Sequence, residues 1–431
     1  MKRAPDISIR NGRLIDPANR VDRECDLHLR NGHVLAIGPT PMGFRAEREI
    51  EAGGQVVCPG LIDLCAHLRE PGLEHKATIA SETAAAAAAG ITTLCCPPDT
   101  SPCNDTPAVT ELIRRKAQQS GRVRVLPLGA MTQGLKGEQL SEMAALKRAG
   151  CVAVSNGQTP ISNTLILRRA LEYAATFGLI AFLSPEDPQL RDQGCVHEGR
   201  VGTRLGLPGI PEAAETVAVA RDLALAEQTG ASVHFRGLST AKAASMLQHA
   251  LRQQQPVSAD VSAHQLHLSE MDLDGFDSNC HVSPPLRTTE DRRALRKAVA
   301  DGTIAAICSD HQPHEPDAKA SPFPSTAPGI SALETLLPLT LRLVDEGVLA
   351  LDTAIARLTS GPAGILGLPL GRLDVGACAD VCIFDPRAQW ILSAEQMRSQ
   401  GQNTPFMGWE FSSRVTHTIF EGRLVFAAGG R

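Results

Sequence analysis

Two short runs of this 431-residue chain gather side chains that could do metal or acid–base chemistry. The first is Asp63-Leu64-Cys65-Ala66-His67-Leu68-Arg69-Glu70-Pro71-Gly72, directly after the apolar Cys58-Pro59-Gly60-Leu61-Ile62. Residues at i and i+2 on a strand point to the same side, so Cys65 and His67 can face one ligand. A thiolate and an imidazole are a competent zinc pair, although a buried thiol beside a hydrogen-bonded histidine is the commoner outcome of such spacing. The second run is Cys308-Ser309-Asp310-His311-Gln312-Pro313-His314. An aspartate at a strand end with two histidines close by suits a metal ligand or general base, and Asp310 is the strongest single functional signal by chemistry alone. Four weaker positions follow other apolar runs. Asp99 sits in Pro97-Pro98-Asp99-Thr100, where a turn or cap is expected. Ser155-Asn156-Gly157-Gln158 offers no charge. Glu186 and Asp187, after Ser184-Pro185, read as a solvated turn, and His234 of His234-Phe235-Arg236-Gly237 reads as a hydrogen-bonded core residue.

The elements that would carry these groups alternate. Strand-like runs are expected at Ile91–Cys96, Val123–Leu128, Cys151–Ser155, Leu179–Leu183, Ser232–Phe235, Val257–Val261 and Ala305–Ser309. Amphipathic helices are expected at Thr78–Ala89, Leu140–Ala149, Ile166–Phe177, Glu212–Thr229, Thr240–Gln253 and Thr289–Ala300. Frequent alternation of this kind implies a parallel sheet with crossover helices. About eight strands over roughly 300 residues fit a closed (β/α)8 barrel, whose chemistry sits at the C-terminal strand ends. A doubly wound open sheet is the alternative, but no phosphate-loop glycine pattern supports it.

Both chain ends have a different rhythm. Asp6–Arg10, Gly12–Ile15, Asp26–Arg30 and His33–Ile37 alternate apolar and polar residues, with Asn11-Gly12 and Asn31-Gly32 as hairpin signals. Ala379–Phe384, Arg414–Phe420 and Arg423–Phe426 resume that style around a Glu421-Gly422 turn. The expected architecture is therefore α/β: a barrel over 56–364 and a small β-sandwich domain assembled from 1–55 and 365–431.

Composition narrows the function classes. Hydrophobic residues make up 43% and aromatics only 3%, so the core must be built from Ala, Leu, Val and Ile. The formal net charge of −5 and the lack of a basic tract argue against nucleic-acid binding. No window reaches the ~18 consecutive apolar residues of a membrane span, and Met1–Gly12 lacks a signal peptide's apolar run. The twelve cysteines fall largely in strand-like runs, as at Cys95-Cys96, Cys151, Cys308 and Cys382, and read as buried reduced thiols in a cytoplasmic protein.

At these residues the chain resembles the bacterial dihydroorotases of the amidohydrolase superfamily, nearly end to end. "CPGLIDLCAHLREPG" resembles the family's first-strand signature Asp-x-His-x-His-Leu-Arg-Glu-Pro-Gly. "AAAAAAGITTLCCPPDTSP" resembles its second strand, and "GLPGIPEAAETVAVARDLALAEQTGASVHF", "VSPPLR", "ICSDHQPH", "PGISALET" and "LTSGPAGILGLPLGRLDVGACADVCIFDP" continue the series. The resemblance implies ring closure of carbamoyl aspartate to dihydroorotate, with one or two zinc ions activating water and polarising the ring carbonyl. It also implies six ligand positions, and most of them are altered. The first His of the His-x-His pair is Cys65, and His67 and Asp310 (the family's general base) are retained. The strand-four carboxylate falls on Asn156 or Gly157, the His before Glu-Asp is Ser184, and the second His of His-x-x-His is Gly237. At the substrate carboxylate site Arg69 is retained, Asp99 replaces an Asn and would repel an anion, Ser283 replaces the Asn before Pro-Pro-Leu-Arg, and His314 stands beside them.

Such losses are the kind expected of the inactive dihydroorotase-like subunits that accompany bacterial aspartate transcarbamoylase. The resemblance thus implies a non-catalytic assembly subunit in pyrimidine biosynthesis. Its expected partners are transcarbamoylase catalytic chains and further copies of itself, and no bound metal is expected. Two alternatives stay open: a weakly active dihydroorotase with a single zinc on Cys65, His67 and Asp310, and a regulator that binds a ligand in the vacant pocket. The proline-bearing Glu315–Thr326 segment is expected to be an ordinary surface loop.

Overall fold

In the computed structural model, which describes residues 3–429, the alternation resolves into eight parallel strands that follow one another in chain order. They are Leu61–Asp63, Ile91–Cys96, Arg124–Pro127 bending into Gly129–Ala130, Ala153–Ser155, Ile180–Leu183, Val233–Phe235, Val257–Ser262 and Ala306–Cys308. Each pairs in parallel with the next. The bend in the third strand is carried by Leu128, whose N–H donates to Cys96 O at 2.9 Å. Beyond the last strand, a parallel bridge joins His311 to Ala66 after the first, and His67 N–H donates to His311 O at 2.9 Å. Asp63 reinforces that junction: Oδ1 accepts from Ser309 N at 2.9 Å and Oδ2 from the Ser309 hydroxyl.

With so few aromatics, the strand interior is filled by small and branched side chains: Ile62, Leu64, Cys65, Cys95, Ala153, Ala306 and Cys308 pack around Phe182. The helices begin where polar caps predict. Thr78 forms a capping box with Ser81 ahead of Ile79–Ala88, Thr240 caps Ala241–Arg252, and Thr288 with Asp291 caps Thr289–Asp301. One helix, Pro107–Ser120, was not expected from the sequence; it buries Val109, Ile113 and Ala117 at a spacing of four.

The two chain ends meet in one mixed eight-stranded sheet. Val381–Asp385 pairs antiparallel with Val56–Pro59 and with Arg414–Phe420, so residues more than three hundred positions apart share a ladder. The expected sandwich takes the form of a single branched sheet, in which Ile7–Asp16 pairs with Val21–Arg30 on one side and with Arg48–Glu51 and then Val56–Pro59 on the other. Asn11-Gly12 is not a hairpin turn. It is a bulge within the single strand Ile7–Asp16, and a Cβ on Gly12 would meet Val57 Cγ2 at 2.5 Å. Asn31-Gly32 and Glu421-Gly422 do make the expected turns, all four residues having positive φ. Met1, Lys2, Gly430 and Arg431, at the outer edges of the expected small domain, lie outside the described residues.

Candidate active site

Cys65, His67 and Asp310 converge where the first and eighth strands end. Their ligand atoms all lie within 4.8 Å of one another and all three residues are buried. Cys65 Sγ is 3.3 Å from Asp310 Oδ1 and 3.8 Å from His67 Nε2. These separations are those of donors sharing one tetrahedral ion, because ligands at about 2.0–2.3 Å from zinc stand roughly 3.3–3.8 Å apart. Asp310 holds its place with φ of 47°, a left-handed backbone that aspartate tolerates better than most residues. Its second oxygen accepts from Gln312 Nε2 at 3.3 Å.

The space an ion would need is taken by a residue that sequence reasoning passed over. Arg236, directly after the sixth strand, turns its guanidinium inward, with Nη2 at 2.6 Å from Cys65 Sγ and 3.5 Å from Asp310 Oδ1. A zinc on the same sulfur would sit at about 2.3 Å, so the guanidinium and an ion shared by Cys65 and Asp310 exclude each other. Burial alone would lower the Arg236 pKa, but the negative charges beside it, Asp310 and Asp260 among them, outweigh it and keep the side chain charged. Burial pushes the Cys65 thiol well above its ordinary range, against the pull of Arg236. The neutral thiol therefore accepts from Arg236 and donates to Asp310.

The other expected ligand positions offer nothing to a metal. Asn156 is buried and fully engaged: Oδ1 accepts from Thr132 Oγ1 at 2.7 Å, and Nδ2 donates to Leu135 O at 3.1 Å and Thr159 O at 2.8 Å. Gly157 has no side chain and lies against Asp99, and the Ser184 hydroxyl donates to Gly157 O at 2.9 Å. Gly237, at φ of 61°, donates its N–H to Asp260 Oδ1 at 2.6 Å. A Cβ there would meet nothing nearer than Pro284 Cδ at 3.6 Å, so the room for a side chain exists and is unused. His234 is the core residue expected, bonded to Ser258 Oγ at 2.9 Å and Asp260 Oδ2 at 3.1 Å. Glu186 accepts from Arg191 Nη1 at 3.1 Å, and Asp187 caps the short helix after it.

Asp99, the expected repelling charge, faces His67. Its Oδ2 lies 2.9 Å from His67 Nδ1, an ion-pair distance without hydrogen-bond alignment, since that nitrogen has no hydrogen-bond partner. Burial would raise the Asp99 carboxyl, but His67, Arg69 and Arg236 hold it well below the usual range. Arg69 donates from Nε to Pro313 O at 3.2 Å and contacts His314 Nε2 at 3.3 Å. Burial, with Arg69 and Lys76 close by, drives His314 down to about 3, so it is neutral. Ser283 lines an open cavity with Asp310, Ser184, Glu186, Arg236 and Arg287 that encloses about 610 Å³ of atom-free space, including the part open to solvent. The structure thus brings Cys65, His67, Asp99, Arg69, His314 and Asp310 to one mouth and leaves Asn156 and Ser283 at its edges. The Glu315–Thr326 segment closes over nearby with two short helical turns, and Thr326 bonds His281.

Comparison with known proteins defines the class first. The L-hydantoinase (dihydropyrimidinase) from Arthrobacter aurescens superposes with a TM-score of 0.89 at 24% identity, covering 99% of this chain and 97% of that one. A D-hydantoinase from Thermus sp. gives 0.85 at 21%, covering 98% and 97%. The fold is the barrel of such hydrolases with a separate β domain. Residues 54–243 match the family described as dihydro-orotase-like. A dihydroorotase-like protein of Pseudomonas aeruginosa is 50% identical over 418 residues, 97% of this chain and 99% of its own, and a dihydroorotase of Syntrophotalea carbinolica is 46% identical over 420 residues, again 97% and 99%. The chain belongs to the dihydroorotase-like family of amidohydrolases. Zinc is the usual metal of that superfamily, and here the donors Cys65, His67 and Asp310 fit one ion only if Arg236 withdraws.

Proposed function

We propose that this chain is a non-catalytic dihydroorotase homologue that binds aspartate transcarbamoylase catalytic chains and helps them assemble in pyrimidine synthesis in the cytoplasm. The observation that carries the reading is Arg236 Nη2 lodged 2.6 Å from Cys65 Sγ, while Asn156, Ser184 and Gly237 supply no ligand. A site without a bound ion has nothing to generate hydroxide at neutral pH or to polarise the ring carbonyl. A scaffold needs none of this, because function is grafted on the fold and the fold persists without the ligands.

The partner is tested by mixing the purified chain with transcarbamoylase catalytic chains of its own host and measuring mass by size exclusion with light scattering. A complex larger than either component is expected; two unshifted peaks across a micromolar titration refute the assembly role. A second reading, a single-zinc dihydroorotase, draws on the 4.8 Å clustering of Cys65, His67 and Asp310. It requires Arg236 to leave, and bound zinc together with turnover would favour it.

A further inference from the structure

We infer that Arg236 is a tethered cation standing in the metal's place, and that a divalent ion competes with its guanidinium for Cys65, His67 and Asp310. The first ground is position. Arg236 Nη2 reaches two of the three clustered donors, at 2.6 Å from Cys65 Sγ and 3.5 Å from Asp310 Oδ1, so one nitrogen holds the sulfur and faces the carboxylate that an ion would bridge. The second is charge. Asp260 and Asp310 are both buried around this end of the strands and act on Arg236, and buried carboxylates persist only when paired or hydrogen-bonded. A guanidinium supplies the positive charge that an ion would otherwise supply.

The third ground is the unusual hydrogen bonding of the arginine. Its Nε and Nη1 are buried and have no partner. A side chain placed there for the fit of its hydrogen bonds would use more of its donors. This one is held through Nη2 alone, on the sulfur and carboxylate that would grip an ion. The backbone on either side is fixed, with Arg236 N–H donating to Leu183 O at 2.8 Å and Gly237 N–H to Asp260 Oδ1 at 2.6 Å. Direction is therefore set by the strand end, and the bare Gly237 leaves the neighbouring space clear.

The inference shares the idle centre with the proposed function but does not depend on the transcarbamoylase partner, so a failed mixing experiment leaves it standing. It is tested with cobalt(II) as the probe on the full chain, comparing wild type, Arg236→Met, Arg236→Lys and the double variant Arg236→Met with Cys65→Ser. Methionine keeps length and removes charge. Arg236→Met is expected to take up one cobalt per chain, with the near-ultraviolet absorption of a thiolate ligand and a raised melting temperature. Wild type should show neither, Arg236→Lys should bind more weakly than Arg236→Met, and the double variant should lose the thiolate absorption. If Arg236→Met folds only when cobalt is present, that result supports the exchange directly, because the ion then replaces the lost cation. Folded Arg236→Met that binds no cobalt overturns the inference. So does wild type that takes up cobalt through its thiolate with Arg236 intact, a measurement that needs no variant.

Discussion

Replacing Asp63 with asparagine should flatten part of the pH dependence of stability, in a direction opposite to that of most carboxylates. Asp63 is fully buried, and burial raises its carboxyl to about 7 despite the Ser309 and Cys65 donors. In the unfolded chain an aspartate titrates near 3.9. The folded carboxyl thus keeps its proton after the unfolded one has lost it. Its stabilising contribution is complete below about pH 4 and is lost as pH rises to about 7. A gap of about three pH units, at about 1.4 kcal/mol each, sets an upper limit of about 4 kcal/mol. Asparagine keeps an acceptor for Ser309 N–H and cannot ionise. Urea unfolding followed by circular dichroism between about pH 4 and pH 8 should show the wild type losing up to about 4 kcal/mol relative to Asp63→Asn. Parallel curves for the two proteins, or a wild type that gains on the variant as pH rises, would refute the reasoning and mean that the three donors hold the charge in place.

Two further outcomes follow from buried groups. Glu215 accepts from the Ser239 and Thr240 amides, each at 3.1 Å, and from both hydroxyls, tying the helix Glu212–Thr229 to the segment that follows Arg236. Glu215→Ala strands those donors at about 1–3 kcal/mol each, so urea unfolding should show a loss of at least about 3 kcal/mol; a loss under about 1 kcal/mol would contradict the assignment. Of the twelve cysteines, all free, only Cys25, Cys103 and Cys378 are partly exposed. A thiol-specific disulfide reagent should therefore modify at most those three before denaturant is added, and Cys103, raised to about 11 by burial and Asp105, only slowly. Early reaction at Cys65 would mean that the strand mouth opens.

The barrel was legible because its signals are local. Seven strand runs and six helices read from apolar periodicity correspond to elements within a few residues, and Glu212–Thr229 coincides at both ends. The helix Pro107–Ser120 escaped because the apolar part of its buried face is only Val109, Ile113 and Ala117, with Thr110 beside them, amid charged residues, although the spacing of four, the proline at its first turn and Gly121 after its end were all present. Asn11-Gly12 misled because the same dipeptide serves a turn or a bulge, and the choice is made by Val57, which is distant in sequence.

The site divides along the same line. The convergence of Cys65, His67 and Asp310 could be anticipated from two motifs at strand ends, as could the core role of His234. Arg236 could not be placed, because its partners lie 171 residues before it and at Asp310, and local sequence does not say whether an arginine after a strand turns inward or snorkels to solvent. A charged residue beside a bare glycine at a strand's C-terminal end was the one available signal. The charge of Asp99 was visible in the sequence, but its pairing with His67 is tertiary and was not.

The proposed role requires that the guanidinium of Arg236 leave this chain without a working metal centre. The most direct measurement is ring closure of carbamoyl aspartate by the purified chain with added zinc, read together with zinc per chain by mass spectrometry. The account predicts no retained zinc and no dihydroorotate above the buffer rate. Zinc held beside His67 and Asp310, with turnover on the order of 1 per second or faster, would contradict it.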